Sequence, residues 1–176
     1  MTSNFRQYSE MSFIYNKEQV KLFQKKLIYS KIFTRMNILF FLIPKSQVAF
    51  VLDDATLRQT AEKLIHHNYT AIPVVSRDGR YISTVSEGDL FRFIKDHEEM
   101  NYRLAENTPI LSVPCEREIQ AINYDSKMED LIELAVGQNY VPVLDDKGIF
   151  IGIITRRAIL EYFKKLALKN DGESNS

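Results

Sequence analysis

The stretch NYVPVLDDKGIFIGIITRRAIL, residues 139–160, contains the pattern that decides the fold. Its first part is an apolar run through Pro142, and the Asp-Asp-Lys-Gly that follows is typical of a tight turn. A second apolar run, residues 150–154, ends at the hydroxyl of Thr155. A hydroxyl at this point suits the N-cap of a helix that begins in RRAIL. The stretch therefore predicts a strand, a turn, a second strand and a helix in direct succession.

The same pattern occurs earlier in the chain, in NYTAIPVVSRDGRYISTVSEGDL, residues 68–90. Few residues are identical, but proline, glycine and hydroxyl residues recur without a gap. Three pairs share a separation of 69 residues: Pro73 and Pro142, Gly79 and Gly148, Ser86 and Thr155. A shared spacing of this kind indicates an internal repeat.

Each copy is preceded by an apolar strand and an amphipathic helix. The strands are predicted at 48–52 and 119–123, and the helices are expected to begin after Asp54 and after Asp125-Ser126. Ser126 and Glu129 have the spacing of a capping box. A single unit of this size cannot bury both faces of its sheet. We therefore expect an α/β fold in which two β-α-β-β-α repeats pack about a pseudo-two-fold axis.

The predicted organisation has repeat 1 at 36–96, a connector at 97–115, repeat 2 at 116–168 and a polar, disordered tail at 169–176. Residues 1–35 form a basic extension with seven Lys or Arg against Glu10 and Glu18. It reads either as a solvated basic segment or as an amphipathic helix that contacts anionic lipid or a partner. Met36 could begin a compact domain by itself, which would place residues 1–35 outside the functional unit.

The bulk composition excludes several classes of protein. Lys plus Arg and Asp plus Glu both number 23, so no overall charge favours a nucleic acid as partner. The longest apolar run, NILFFLIP at 37–44, is much shorter than the roughly 20 residues of a membrane span. The single Cys115 excludes an intrachain disulfide and suits a reducing compartment. A cytoplasmic location is therefore expected.

The two strand-to-helix corners carry the polar groups of greatest interest. Arg156 and Arg157 would stand at a helix N-terminus, where the helix dipole disfavours a cation by up to about 1 kcal/mol. They need either a phosphate, which guanidinium groups bind bidentately, or outward partners chosen from Asp145, Asp146 and Glu161. Ser86 and Asp89 likewise form either a simple cap or a pair that binds phosphate and ribose hydroxyls.

The repeat resembles a pair of CBS domains, the module named after cystathionine β-synthase and found in regulators that sense adenine nucleotides. The resemblance covers about residues 43–166 and rests on YTAIPVV and NYVPVL, followed by RYISTVSEGDL and FIGIITRRAIL. It is closest to small stand-alone bacterial CBS pairs, some of which bind cyclic di-AMP. In such modules a nucleotide lies between the repeats.

The resemblance implies two pockets. The first would use the first and second strands of repeat 1 with the corner of repeat 2: Ala49, Val51, Tyr69, Thr70, Ala71, Ile72, Pro73, Thr155, Arg156 and Arg157. The second would use the reverse combination: Ile122, Tyr140, Val141, Pro142, Ser86 and Asp89. The chain departs from the family at Ala158, where an acidic residue for the ribose is common, and at Ser83, where glycine is usual.

The residues offer little for catalysis. None of the three histidines has a carboxylate or cysteine at a ligand spacing, and Cys115 has no neighbouring base in the sequence. We therefore expect a non-catalytic regulator with no metal and no cofactor, binding cyclic di-AMP or AMP, ADP or ATP as its ligand. A homodimer that signals to an unidentified effector protein is expected, and a ligand-free CBS interaction scaffold is the alternative.

Overall fold

The computed structural model describes residues 36–97, 99 and 101–172. A short strand, β1 (Ile43–Pro44), precedes the first repeat. That repeat consists of β2 (Val51–Leu52), α1 (Leu57–His67), β3 (Ala71–Val75), β4 (Tyr81–Ser86) and α2 (Glu87–Asp96). A helix in the connector, α3 (Tyr102–Asn107), leads to the second repeat, which consists of β5 (Ile122–Asn123), α4 (Met128–Gly137), β6 (Tyr140–Leu144), β7 (Phe150–Thr155) and α5 (Arg156–Gly172). The predicted order β-α-β-β-α therefore occurs twice.

The first strand of each repeat is shorter than predicted. In repeat 1 the strand is confined to β2 because a 3-10 helix spans Lys45–Gln47 and the chain leaves it only at Val48. In repeat 2 the strand is confined to β5, and the backbone of Gln120 is bound by the side-chain amide of Gln138 instead of by a strand. The final helix reaches Gly172, so the first four residues of the predicted tail are helical.

The helix caps differ from the predicted ones. Thr56, not Asp54, caps α1: its hydroxyl accepts from Gln59 N at 3.2 Å, and the Gln59 side chain accepts from Thr56 N at 3.0 Å. Asp54 instead pairs with Arg77. Helix α4 begins after Lys127, whose backbone N–H donates to the Asp130 carboxylate at 3.3 Å. Each helix begins one or two residues later than predicted because the chain makes one further turn after its first strand.

The strands form two sheets, ordered β2-β3-β4 and β1-β7-β6-β5. The central strands pair antiparallel within each repeat, with Ala71 opposite Ser86 and Tyr140 opposite Thr155. The additional strand β1 crosses to the second repeat and pairs with β7, where Pro44 lies opposite Gly152. A side chain at position 152 would collide with the carbonyl of Ile43, so the glycine permits this pairing.

Three apolar clusters hold the described part of the chain together. Each repeat has its own core between its sheet and its helices. The third cluster joins the two sheets: Val48, Val75 and Phe150 are buried, with Phe50, Tyr81, Leu144 and Ile153 packed around them. The two turns also meet, because Phe150 N donates to Gly79 O at 2.9 Å and Arg80 Nη1 donates to Lys147 O at 3.1 Å. The repeats thus form one structure around a common central contact.

The basic segment 1–35 and residues 173–176 lie outside the described residues. Within the described residues, no helix is both long enough and apolar enough to cross a membrane.

Candidate functional site

The two strand-to-helix corners have the same backbone geometry. In repeat 1, Glu87 N donates to Thr70 O at 3.0 Å, and in repeat 2, Arg156 N donates to Asn139 O at 2.9 Å. Each corner hydroxyl then caps its helix: Ser86 Oγ accepts from Asp89 N at 3.1 Å, and Thr155 Oγ1 accepts from Ala158 N at 3.2 Å. The internal repeat is therefore reproduced at both corners in this backbone hydrogen bond and in the hydroxyl cap.

The carboxylate of Asp89 is buried and fully hydrogen-bonded. Oδ2 accepts from Ser86 N at 2.9 Å and from Ser86 Oγ at 2.6 Å. Oδ1 accepts from Arg92 Nη2 at 2.6 Å and from Glu116 N at 3.1 Å. A carboxylate has about four acceptor positions, so all of them are occupied. Asp89 can therefore bind a ribose only if Arg92 or Glu116 gives way.

These contacts set the ionisation of Asp89. Burial of the side chain, which is 5% exposed, raises its pKa, but the hydrogen bonds from Ser86, Glu116 and Arg92 outweigh burial and hold the pKa below its usual value. The carboxylate therefore stays ionised at neutral pH, and Arg92 balances its charge. Arg92 also pairs with Glu116, at 2.7 Å between Nε and Oε2.

Arg156 and Arg157 point in different directions. Arg156 Nη1 donates to Val136 O at 3.4 Å, and its Nη2 donates to the Asn139 side chain. A cation there lies near the C-terminus of α4, where the helix dipole favours it. Arg157 is 87% exposed and pairs with Glu161 at 2.8 Å, which is the outward arrangement that the sequence left open. This pair raises the pKa of Arg157 and lowers that of Glu161.

A cleft of about 660 Å³ lies between the corners. Six of the predicted site residues line it: Thr70, Ala71, Ser86, Asp89, Tyr140 and Arg156. They come from both predicted pockets, so this one cleft combines parts of the two. In the structure the connector extends beyond residue 115 as far as β5, and this segment, the end of α4 and three residues of repeat 1 supply the rest of the wall: Glu116, Arg117, Ile119, Val136, Gly137, Gln138, Asn139, Thr84, Gly88 and Arg92.

The remaining predicted site residues do not line this cleft. Six of them are buried in the strands: Val51, Ile72, Pro73, Ile122, Val141 and Pro142. The four that are not proline belong to the cores of the two repeats. Ala49 and Tyr69 pack against the core of repeat 1. Thr155 is half-buried and caps α5, while Arg157 lies on the outer surface.

A chain of hydroxyl groups crosses from one repeat to the other beside the cleft. Tyr81 OH donates to Ile119 O at 3.0 Å and lies 2.9 Å from Thr84 Oγ1, which in turn lies 3.0 Å from Tyr140 OH. Because a carbonyl can only accept, Tyr81 donates to it and Thr84 donates to Tyr81, so Tyr140 donates to Thr84. Burial raises the pKa of Tyr81 to about 12 and raises that of Tyr140 as well, so both phenols stay protonated.

Sequence reasoning missed the connector as part of the site. Glu116, Arg117 and Ile119 line the cleft, although the repeat pattern placed them only at the edge of repeat 2. The contacts that bring them there join residues far apart in the chain, such as Glu116 with Asp89. An available signal was the Val-Pro at 113–114, which resembles the Ile-Pro at 43–44 ahead of repeat 1.

The described residues contain no group of three or more His, Cys, Asp or Glu that could hold a metal ion. Cys115 is half-buried, and burial raises the pKa of its thiol above the usual value. A raised pKa keeps the thiol protonated at neutral pH, and the thiolate is the nucleophilic form. The cleft does contain hydroxyl and guanidinium groups, which can bind an anion, beside the carboxylates of Asp89 and Glu116.

The CBS domain model matches residues 42–96 and 111–165, which together are more than half of the chain. The chain belongs to the CBS domain family. The resemblance derived from the repeat is thereby confirmed. Among curated proteins, an uncharacterised protein of Methanocaldococcus jannaschii is 24% identical over 139 residues, which cover 63% of this chain and 83% of that protein.

Solved structures of CBS proteins share the fold. A crystal structure of CbpB in complex with c-di-AMP has a TM-score of 0.74 and 22% identity, and covers 85% of this chain and 98% of that chain. The Listeria monocytogenes CbpB protein in complex with c-di-AMP has a TM-score of 0.64 at 22% identity, with coverages of 72% and 93%. CBSX2 in complex with AMP has a TM-score of 0.60 at 18% identity, with coverages of 74% and 98%.

Proposed function

We propose that this CBS pair is a non-catalytic regulatory sensor that binds an adenine nucleotide between its repeats and signals to a partner protein. The observation that carries the proposal is the cleft of about 660 Å³ between two copies of one strand-to-helix corner. Both corners direct the N-terminus of a helix toward it, and helix N-termini favour anions. Three arginines line the cleft or reach it, namely Arg92, Arg117 and Arg156, against the carboxylates of Asp89 and Glu116. The excess positive charge suits a phosphate.

The proposed contacts divide between the two repeats. Thr70, Ala71 and the neighbouring strand residues would receive the base, while Thr155, Arg156 and Arg157 would receive phosphate. Arg157 lies on the outer surface, so it would have to leave Glu161 and turn toward the cleft. Both side chains of that pair are exposed, so water screens their attraction. On the other side, Ser86 and Tyr140 would contact a second nucleotide or the second half of a larger one.

The contacts of Asp89 favour one class of nucleotide. AMP, ADP and ATP carry free ribose 2′- and 3′-hydroxyls, and a carboxylate that already accepts four hydrogen bonds cannot bind them without losing a partner. The equivalent position in the other corner is Ala158, which has no carboxylate. A cyclic dinucleotide has an esterified 3′ oxygen and offers more phosphate. Cyclic di-AMP is therefore the ligand we favour, as in the CbpB complexes.

A titration by calorimetry tests the proposal. The full chain is titrated with cyclic di-AMP, AMP and ATP, alongside Arg156→Ala and the control Arg103→Ala, whose arginine lies on α3 and does not line the cleft. We expect cyclic di-AMP to bind most tightly and Arg156→Ala to weaken it about tenfold, as is usual for a hydrogen bond to a charged group. If Arg156→Ala bound cyclic di-AMP as tightly as the wild type, Arg156 would not be part of the binding site. The absence of binding by every nucleotide would refute the sensor.

A ligand-free interaction scaffold is the alternative, and one observation favours it. Asp89, Arg92 and Arg157 all have protein partners in the described residues, so these groups do not need a ligand. Thermal unfolding separates the two functions. A ligand at 100 times its dissociation constant adds about 2.7 kcal/mol to the free energy of unfolding, whereas a scaffold is unaffected by nucleotide.

We further propose that the protein is a cytoplasmic homodimer. Helices α2 and α5 expose apolar side chains after their corners, with Phe91 71% and Leu160 62% exposed, and such faces suit a second copy of the chain. The cytoplasm is where the free thiol of Cys115 would stay reduced. Native mass spectrometry after gentle purification measures the dimer and a bound nucleotide together, and a ligand-free monomer would contradict both.

A further inference from the structure

The connector runs along the cleft and is fastened on both sides of one residue. Glu116 N donates to Asp89 Oδ1 at 3.1 Å, which ties the connector to repeat 1. Ile119 O accepts from Tyr81 OH at 3.0 Å, and Gln120 exchanges hydrogen bonds with the side chain of Gln138. The backbone of Arg117, between these anchors, is therefore held at the mouth of the cleft.

The side chain of Arg117 is exposed and faces open space on several sides. It lines the cleft between the corners and also two adjoining cavities of about 790 and 590 Å³. Among the described residues it has no hydrogen-bond, ion-pair or aromatic partner. The five N–H donors of its guanidinium group are thus available for a ligand.

The other arginines at the corners differ from Arg117 in this respect. Arg92 pairs with Asp89 and Glu116. Arg156 donates to a backbone carbonyl and an asparagine side chain, and Arg157 pairs with Glu161. The two carboxylates that line the cleft, Asp89 and Glu116, are matched in number by Arg92 and Arg156, so Arg117 leaves the cleft with one net positive charge.

The acidic groups near Arg117 lie on the far side of the connector. Glu118, Asp130 and Glu133 line the 790 Å³ cavity that Arg117 borders, but none of them lines the cleft itself. Arg117 thus lies between this acidic surface and the cleft, where Asp89 and Glu116 are already paired with Arg92. An anion in the cleft would attract the side chain inward, because its screened attraction to solvated carboxylates is weak.

We infer that Arg117 is a phosphate-binding residue of the nucleotide cleft, supplied by the segment just ahead of β5 and not by either strand-to-helix corner. A guanidinium group held at the mouth can bind two phosphate oxygens side by side. The inference rests on the proposed function, since it concerns the same cleft. It adds that the connector is part of the ligand site and that Arg117 recognises the phosphate and not the base.

The test compares ligands with and without phosphate. Cyclic di-AMP, AMP and adenosine are titrated into the full chain and into Arg117→Ala, Arg117→Lys and Arg103→Ala. We expect Arg117→Ala to raise the dissociation constants of cyclic di-AMP and AMP about tenfold and to leave that of adenosine unchanged. The dissociation constants of Arg117→Lys should lie between those of the wild type and Arg117→Ala. An ammonium group keeps the positive charge but lacks the planar pair of N–H donors that binds two phosphate oxygens. The control should match the wild type.

Each outcome decides the inference. If Arg117→Ala binds cyclic di-AMP and AMP as the wild type does, the inference is overturned while the proposed function stands. An equal loss for adenosine and AMP also overturns it, because it shows a structural role for the side chain. If the wild type binds none of the three, both proposals fail together. Urea denaturation midpoints of all variants verify that each one is folded.

Discussion

Gly152 occupies a position that no other residue fits. Its φ is +155°, which side-chain-bearing residues rarely adopt, and its Cα faces strand β1. A Cβ would collide with the Ile43 carbonyl and would also lie 2.9 Å from Leu42 Cδ1. The carbonyl belongs to the backbone of the paired strand, so it cannot move without moving the strand. We therefore expect Gly152→Ala to displace β1 from β7.

The expected loss of stability in Gly152→Ala comes from the side chains that precede β1. The segment before β1 buries Ile38 and Phe41 in the core of repeat 2, where they are 0% and 6% exposed. Returning two such side chains to water costs roughly 1.5–3 kcal/mol each. We expect Gly152→Ala to lower the free energy of unfolding by roughly 3–6 kcal/mol, a large part of the roughly 5–15 kcal/mol of a typical domain.

Urea denaturation with Gly137→Ala as the matched control measures this effect. A Cβ at Gly137 has no atom within 4 Å, and the residue is helical, so alanine there should be neutral or stabilise by up to about 1 kcal/mol. Hydrogen exchange should also become faster for the pair Ile43 and Ile153 in Gly152→Ala. Equal denaturation midpoints for the two variants would refute the role given to Gly152.

Three further predictions concern the polar contacts. Thr84→Val removes the buried hydroxyl that Tyr140 requires and should lower the free energy of unfolding by about 1–3 kcal/mol, so an unchanged urea midpoint would contradict the hydroxyl chain. Because folding lowers the pKa of Asp89, its carboxylate stabilises the protein at pH values above the unfolded pKa of about 3.9, and this stability is lost as the pH falls through the folded pKa. The free energy of unfolding should therefore fall less steeply at acidic pH in Asp89→Asn than in the wild type. Thr56→Ala should cost about 1 kcal/mol by the same assay and Asp54→Ala much less, and the reverse order would restore Asp54 as the cap.

The order of elements and the two corners were predictable because they depend on neighbouring residues. Alternating apolar residues, a turn glycine and a capping hydroxyl act within a few positions, so Ser86 and Thr155 were identified together with their helices. Their repetition at one spacing then predicted two packed units. The helix starts were less predictable: Thr56 caps α1 although Asp54 is an equally suitable residue type, because the choice depends on how far the turn before the helix extends.

The tertiary structure decided which polar groups remain available for a ligand. Nothing near Asp89 in the sequence indicates that Glu116, from the connector, fills its last acceptor position. The sequence likewise left two directions open for Arg156 and Arg157. In the structure Arg156 contacts the end of α4, and Arg157 pairs with Glu161. Arg117 carried no motif at all. A hydrogen bond forms only between groups that lie close together in space. For these groups that proximity arises when the sheets and the connector pack, so the local sequence does not reveal it.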